Sequence, residues 1–493
     1  MESAKVLIKL VELKRCRARA HPNRSGRAEA GNKPIAAPAA PQHYYTNTPL
    51  AGTNGGPRAR YIWPHDAFLA ALLMRLLLPL LLPRRLLLLL VLLAGPAVTA
   101  RAQRPANALR RVLRHDTAGL ARVLARPAAY RLQIRYTRIR RDAAGRPHFR
   151  TTGYRLRPRQ YFYPASTVKL AAAALALQKL RNLAPAHPGL GPEAAMLTDS
   201  AFAGQSRVRR DSSAAGGRPT VGNYVRKALI VSDNDAFNRL YEFVGPAELN
   251  RELARLGLRG SRLLHRLSVG DQEPGSRHTN PVRFFADTVA TQRLYEQPAG
   301  YYAGAWPRLG LRGEAIGVAY LKGDQQVAGP LDFSQKNAFS LPDQQRLLRT
   351  VLFPETVPAA RRLRLAPDDY ARLRAALSEL PRESAHPRYD AAHYPDTYVK
   401  FLLGGAGLAA LPPGVRVFNK IGQAYGFLID NAYVQDEAHG VEFLLSAVLY
   451  VNADGVLNDD KYEYDSIGFP FLRDLGRRVY EAELRQKLGA RRR

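Results

Sequence analysis

The sequence predicts an α+β domain: an antiparallel sheet made from N- and C-terminal strands, flanked by helices, with a mainly helical middle region. Two observations carry this expectation. Strand-like alternating or apolar runs sit at both ends of the folded part, at 130–156 and 415–452. Segments of helical periodicity fill much of the interval between them.

The elements follow in chain order. Residues 106–126 read as a helix, with Leu109, Val112, Leu113, Leu120, Val123 and Leu124 as its apolar stripe and Pro105 and Pro127 at its ends. Residues 130–139 alternate as far as Tyr136 and read as a strand, 142–145 as a turn, and 149–156 as a second strand. An Ala/Leu-rich helix is expected at 166–181, a Gly/Ser-rich loop at 199–219, and helices at 221–244 and 246–256. Residues 270–280 read as a loop, and 282–415 as short helices (342–352, 367–380) among Gly/Pro/Tyr loops. Apolar strands at 415–420, 425–434 and 441–452 precede a last helix at 470–488.

Of 493 residues, 46% are apolar and 23% charged, which suits a packed core and excludes wholesale disorder. Lys and Arg number 74 against 41 Asp and Glu, a net charge of +33. The excess is spread along the chain as Arg rather than gathered in long basic blocks, so no nucleic-acid partner is expected. The only cysteine is Cys16, which excludes a disulfide framework, a Cys-ligated zinc site or a cysteine nucleophile in the main body. No His-Glu-x-x-His run occurs, and no metal or cofactor is expected.

Met74 opens a segment with Arg75, Arg84 and Arg85, the apolar run 86–93, a Gly95-Pro96 breaker, and Ala100-Arg101-Ala102. This order reads as a secretory signal peptide over 74–102, cut after Ala102. The apolar run falls short of the roughly 20 residues a span needs, so no stable membrane anchor is expected. Residues 1–73 read as a non-native upstream or disordered leader, and 103–493 as the exported, periplasmic catalytic domain. Its oligomeric state is left open.

The chemistry centres on YFYPASTVKL, 161–170. Ser166 and Lys169 stand three apart at a helix start, so their side chains share one face of its first turn. A serine hydroxyl needs a base, and a lysine serves once burial and neighbouring cations favour its neutral form. A helix N-terminus also points N–H groups at a developing oxyanion. Ser-x-x-Lys alone is a weak signal, but Ser232-Asp233-Asn234 follows 66 residues after Ser166, and Lys420-Ile421-Gly422 another 188 on, at the end of an apolar strand.

This ordered set, Ser-x-x-Lys, Ser-Asp-Asn, Lys-x-Gly, resembles class A β-lactamases and, more loosely, the D,D-peptidases and transpeptidases of cell-wall synthesis. Gly245 to Leu249 resembles the helix after Ser-Asp-Asn, and Thr279-Asn280-Pro281 the segment after the omega loop. The likeness covers roughly 130–290 and 415–490. It implies Ser166 as acylated nucleophile, Lys169 as general base or proton relay, and Ser232 as proton donor to the leaving nitrogen. Asn234 would bind the acyl-amide side chain and Lys420 the substrate carboxylate. The N–H groups of Ser166 and Gln423 would form the oxyanion hole, and Gly422 would leave the strand edge open to substrate. Asp233 reads as structural.

Two departures from the family pattern stand out. Ile421 occupies the place of a hydroxyl residue that helps hold the substrate carboxylate, leaving that task to Lys420. At the position of the deacylating omega-loop glutamate, His265-Arg266-Leu267-Ser268 reads serine. Glu273-Pro274 resembles the family's Glu-Pro step but comes late, and Glu273 reads as a solvated loop carboxylate. A long segment at about 300–400, rich in Tyr and Pro, reads as an insertion, its tyrosines as packing residues. The polar run from Asn452 to Asp460 lacks complete calcium-loop spacing and reads as a turn. The expected activity is a serine hydrolase acylated by β-lactams or peptidoglycan peptides, with slow deacylation. The alternative is a non-catalytic peptidoglycan- or partner-binding protein on the same fold.

Overall fold

The computed structural model describes residues 108–114, 118–270, 273–287 and 291–491. The leader at 1–73 and the signal segment at 74–102 lie outside the described residues.

Two short helices, α1 (Ala108–Arg114) and α2 (Ala118–Ala125), stand where one was expected. Strands β1 (Gln133–Arg141) and β2 (Pro147–Tyr154) pair as a hairpin. After a 3-10 turn, Ala165–Val168, comes α3 (Lys169–Leu183). Its residues from Lys169 through Gln178 are all buried, as befits a helix apolar on every side. Strand β3 (Ala195–Thr198) leads to α4 (Val221–Ile230), α5 (Asn234–Val244) and α6 (Pro246–Arg255). Strands β4 (Val282–Phe285) and β5 (Arg293–Gln297) pair beside β3, in a region read as loops and short helices. Helices α7 (Leu341–Leu352) and α8 (Pro367–Ser378) precede β6 (Val415–Ala424), β7 (Phe427–Asp436) and β8 (Val441–Tyr450), and α9 (Phe469–Arg491) ends the chain.

The five-stranded sheet has the order β6-β7-β8-β1-β2 and its pairs are antiparallel, so chain ends meet at its centre as expected. Both faces are covered, and the period-2 alternation of β8 divides them. Phe443, Leu445, Ala447 and Leu449 enter one core with α1, α2 and α9. Leu444 and Val448 enter the other, with α3, α4, α5 and α7. Phe471, Leu472 and Leu475 of α9 are fully buried, each contributing roughly 1.5–3 kcal/mol of burial. Helix α7, inside the range read as an insertion, is tied to the sheet. Gln345 donates to Ser446 Oγ (2.9 Å) and accepts from Thr137 Oγ1 (2.7 Å). Among the described residues no helix is long and apolar enough to cross a membrane.

The expected helix at 221–244 is broken, and the break carries Ser-Asp-Asn. Asp233 caps α5, its carboxylate accepting from Ala236 N (2.7 Å). Ser232 just before it has φ +60°, a conformation in which an L-residue cannot continue a helix. The third motif is likewise not a strand end, because β6 runs on through Lys420, Ile421 and Gly422 to Ala424.

Candidate active site

Ser166 lies half-buried in the 3-10 turn, directly after Ala165 at φ +46°. The aromatic residues before it anchor that turn. Tyr161 is buried and its OH donates to Asn337 O (3.0 Å). Tyr163 stacks on His265 at 6.3 Å and meets Tyr425 edge-on at 5.0 Å. Asn337 Oδ1 accepts from Leu264 N (2.6 Å) and His265 N (3.2 Å), so the segment preceding the serine and the segment leading to Ser268 share one support.

Strand β6 closes against the same turn. A Cβ at Gly422 would stand 2.5 Å from Pro164 O, 3.1 Å from Thr167 Cγ2 and 3.3 Å from Ala165 Cβ. The glycine thus has a packing reason: only a hydrogen in that place lets the strand approach the serine turn. Gln423, the next residue, is exposed.

The two lysines converge on Ser232. Lys169 is fully buried at the start of α3. Its Nζ donates to Ser232 Oγ (3.1 Å), Asn234 Oδ1 (2.6 Å) and the Ser232 carbonyl. Lys420 Nζ donates to Ser232 Oγ (2.9 Å) and to Ile421 O (3.2 Å). A serine hydroxyl has two acceptor sites and one proton, so it can receive both amines and still donate outward. Lys420 is held well below the usual ammonium range, first by burial and then by the like charge of Lys169. The arrangement joins two buried amines through one hydroxyl.

Asn234 faces the other way too, donating from Nδ2 to Ser268 Oγ (2.8 Å). The serine read in place of the omega-loop glutamate therefore touches the Ser-Asp-Asn motif. Ala165, Ser232, Ser268 (φ +57°) and Tyr425 (φ +52°) gather positive-φ backbone around the motifs, each such position costing on the order of 1–3 kcal/mol. Glu273 is committed elsewhere. Its carboxylate accepts from Arg277 Nη2 (2.9 Å) and Trp306 Nε1 (2.5 Å), and these bonds hold it below the usual carboxylate range.

Ile421 departs from its expected bearing on the ligand. Strand alternation turns its side chain away from the Lys420 face and into the core that holds Val399, Phe401 and Leu403, leaving it 6% exposed. Tyr394 meets Tyr389 at a tilt, 5.1 Å between ring centres, and Tyr398 edge-on at 5.0 Å. Lys400, Asn419 and Asp430, buried behind Lys420, escaped the sequence reading. A signal was present, since an Asp inside the apolar strand FLIDNAYV is a buried charge in need of a partner. Among the described residues no group of three or more His, Cys, Asp and Glu is placed to hold a metal ion.

Residues 148–294 match the model of a family described as the β-lactamase enzyme family. No curated protein matches the chain. Solved structures similar to it include a β-lactamase from Streptosporangium roseum, at 20% identity over 76% of this chain and 98% of that one (TM-score 0.40). Another is a β-lactamase from Desulfarculus baarsii DSM 2075, at 19% identity over 73% and 97% (TM-score 0.39). A third is a protein titled PBP-A, at 14% identity over 77% and 96% (TM-score 0.40). The family match spans both Ser-x-x-Lys and Ser-Asp-Asn, and the sheet sets Lys420-Ile421-Gly422 against them. Residues 148–294 thus match the β-lactamase enzyme family, within an α+β architecture consistent with a β-lactamase/transpeptidase-like fold.

Proposed function

We propose that this protein is an exported serine hydrolase, class A-like, that is acylated at Ser166 by β-lactams or by D-amino-acid amides of cell-wall peptides. The observation that carries the reading is the bridge of Lys169 and Lys420 across Ser232 Oγ, on the turn-and-strand pair that presents Ser166. Neutral Lys169 takes the Ser166 proton as Oγ attacks the amide carbon. The oxyanion is met by the N–H groups of Ser166 and Gln423. The C–N bond then breaks, and nitrogen receives a proton from Ser232, which is resupplied by the lysines on its oxygen. Lys420 attracts the substrate carboxylate, and Asn234 meets the acyl-side amide once it exchanges its bond with Ser268. The product is an ester on Ser166.

Hydrolysis of that ester requires a base to activate water. Ser268 supplies a hydroxyl rather than a carboxylate, and Glu273 is engaged by Arg277 and Trp306, which supports slow deacylation. Stopped-flow mixing with a chromogenic cephalosporin tests both halves. The expected trace is a burst of about one equivalent followed by slow turnover. Rapid linear turnover would overturn slow deacylation, and absence of any reaction with cephalosporin, penicillin or D-alanyl peptide would overturn acylation itself.

A further inference from the structure

One face of α5 grips the segment Arg266-Leu267-Ser268 residue by residue. Asn234, Asn238 and Glu242 stand four apart on the helix and so share that face. Asn234 Nδ2 donates to Ser268 Oγ (2.8 Å). Asn238 Nδ2 donates to Leu267 O (2.9 Å), and its Oδ1 accepts from Leu267 N (2.8 Å). Glu242 Oε1 pairs with Arg266 Nη1 (3.0 Å), and Arg266 Nη2 donates to Gly275 O (2.9 Å). Of these contacts the proposed reaction uses only the first, and it does so by breaking it.

The contacts further along the helix are buried. Asn238 is 4% and Glu242 3% exposed, and Arg239 Nη1 stands 3.6 Å from the second Glu242 oxygen. Parting a buried ion pair leaves an uncompensated charge, and parting Asn238 from Leu267 strands two buried backbone groups. The segment is therefore fixed where it lies. With it is fixed the left-handed backbone of Ser268 (φ +57°), a conformation that persists where its surroundings impose it. The exposed Ser268 hydroxyl is thus held against Asn234, and a tethered group competes with a free one at high effective concentration. The other end of the Asn234 amide is taken too. Its Oδ1 accepts from Lys169 Nζ (2.6 Å), which leaves Nδ2 as the end that a ligand carbonyl must use.

We propose that Ser268 is a specificity-determining residue. Its hydroxyl occupies Asn234 Nδ2 in place of the acyl-side amide carbonyl of a ligand, and Asn238 and Glu242 are positioning residues that hold it there. A ligand whose acyl amide reaches Asn234 must displace Ser268. One without an acyl amide leaves the bond intact. The segment therefore narrows the advantage of acylamino ligands over unacylated ones. The inference rests on the acyl-amide role given to Asn234 under Proposed function.

Equilibrium binding separates this competition from a general loss of structure. The full chain carrying Ser166→Ala is titrated with benzylpenicillin, which has an acyl amide, and with 6-aminopenicillanic acid, which has the same rings and carboxylate without one. Adding Ser268→Ala should tighten benzylpenicillin about 2- to 10-fold, the worth of one neutral hydrogen bond, and leave 6-aminopenicillanic acid unchanged. Ser268→Gly removes the hydroxyl and suits the positive φ, so it should give the same preference if the hydroxyl, not backbone strain, is the cause. Glu242→Gln should raise the preference in the same direction, and no further once Ser268 is alanine. Thermal unfolding identifies a variant that fails to fold, and the others still decide. An unmoved or lowered preference in the Ser268 variants would overturn the proposal, because Ser268 would then prop Asn234 while the ligand takes its second N–H. No binding of either ligand would overturn it as well. An effect of Glu242→Gln that persists in Ser268→Ala would overturn the positioning role of Glu242. A raised preference in a protein that no β-lactam acylates at an intact Ser166 would overturn the proposed reaction and leave the competition standing.

Discussion

Gly422→Ala adds one methyl group at the place where the third motif meets the serine turn. Gly422 lies in ordinary strand conformation, so alanine brings no backbone strain, only its Cβ. That atom would stand 2.5 Å from Pro164 O, where ordinary contact begins near 3.4 Å, so the two segments must part by about 0.9 Å. Pro164 O has little freedom to swing aside, because it accepts from both Thr167 N (3.1 Å) and Thr167 Oγ1 (2.7 Å). The displacement therefore falls on the spacing between β6 and the turn, which under the proposed mechanism sets the Gln423 and Ser166 N–H groups. Overpacking of this kind costs about 1–3 kcal/mol of stability. A misplacement near 1 Å at reacting groups costs about 10²-fold in rate. The assay pairs thermal unfolding with the second-order rate constant of acylation by a fluorescent penicillin. We expect a folded variant with a lower Tm and acylation slowed about 10²-fold. A folded variant acylated at the wild-type rate would refute the reasoning, because the methyl group would then have been absorbed without disturbing the donors.

Lys169→Ala should slow acylation by about 10²–10⁴-fold, the usual loss with a general base, in the same labelling assay. Ile421→Thr should destabilise by about 1–3 kcal/mol in urea unfolding, since it trims a core side chain and buries a hydroxyl, and should not speed acylation. Glu273→Gln should leave the deacylation rate unchanged in single-turnover experiments, as its carboxylate serves Arg277 and Trp306. The pH profile of stability should carry the mark of the buried pair. Folding raises Asp430 from 3.8 to about 6, so its contribution is present at low pH and is lost as pH rises through that window. Folding lowers Lys400 from 10.5 to about 7, so its cost is full below about pH 7 and fades as pH climbs towards 10.5. Urea unfolding of Asp430→Asn beside wild type should show the decline between about pH 4 and 6 only in the wild type.

The sheet was legible because β8 and its neighbours are long apolar runs, and antiparallel closure by N- and C-terminal strands follows from where those runs lie. The break at Ser232 was not, because residues 221–244 keep an apolar helical period straight through it. The only local hint is that Asp233 is a good N-cap residue. Strands β4 and β5 were missed because they are short and carry charged residues such as Arg283 and Glu296. In the site, the Ser-x-x-Lys spacing pointed to Ser166 and Lys169, and the family resemblance of the three motifs in order pointed to Ser232, Asn234 and Lys420. Two further points needed three dimensions. Ile421 belongs to the core face of its strand, and Asn337, remote in sequence, supports both the serine segment and the segment before Ser268. Long-range hydrogen bonds of that kind leave no periodic trace in a chain.

The central claim is that Ser166 becomes the acyl carrier. Intact-protein mass spectrometry after brief exposure to a penicillin, followed by peptide mapping, tests it most directly. The account predicts a gain of one ligand mass, located on the peptide that contains Ser166, persisting for the minutes that slow deacylation allows, and absent from a folded Ser166→Ala protein. An adduct that survives in Ser166→Ala, or that maps to another residue, would contradict it.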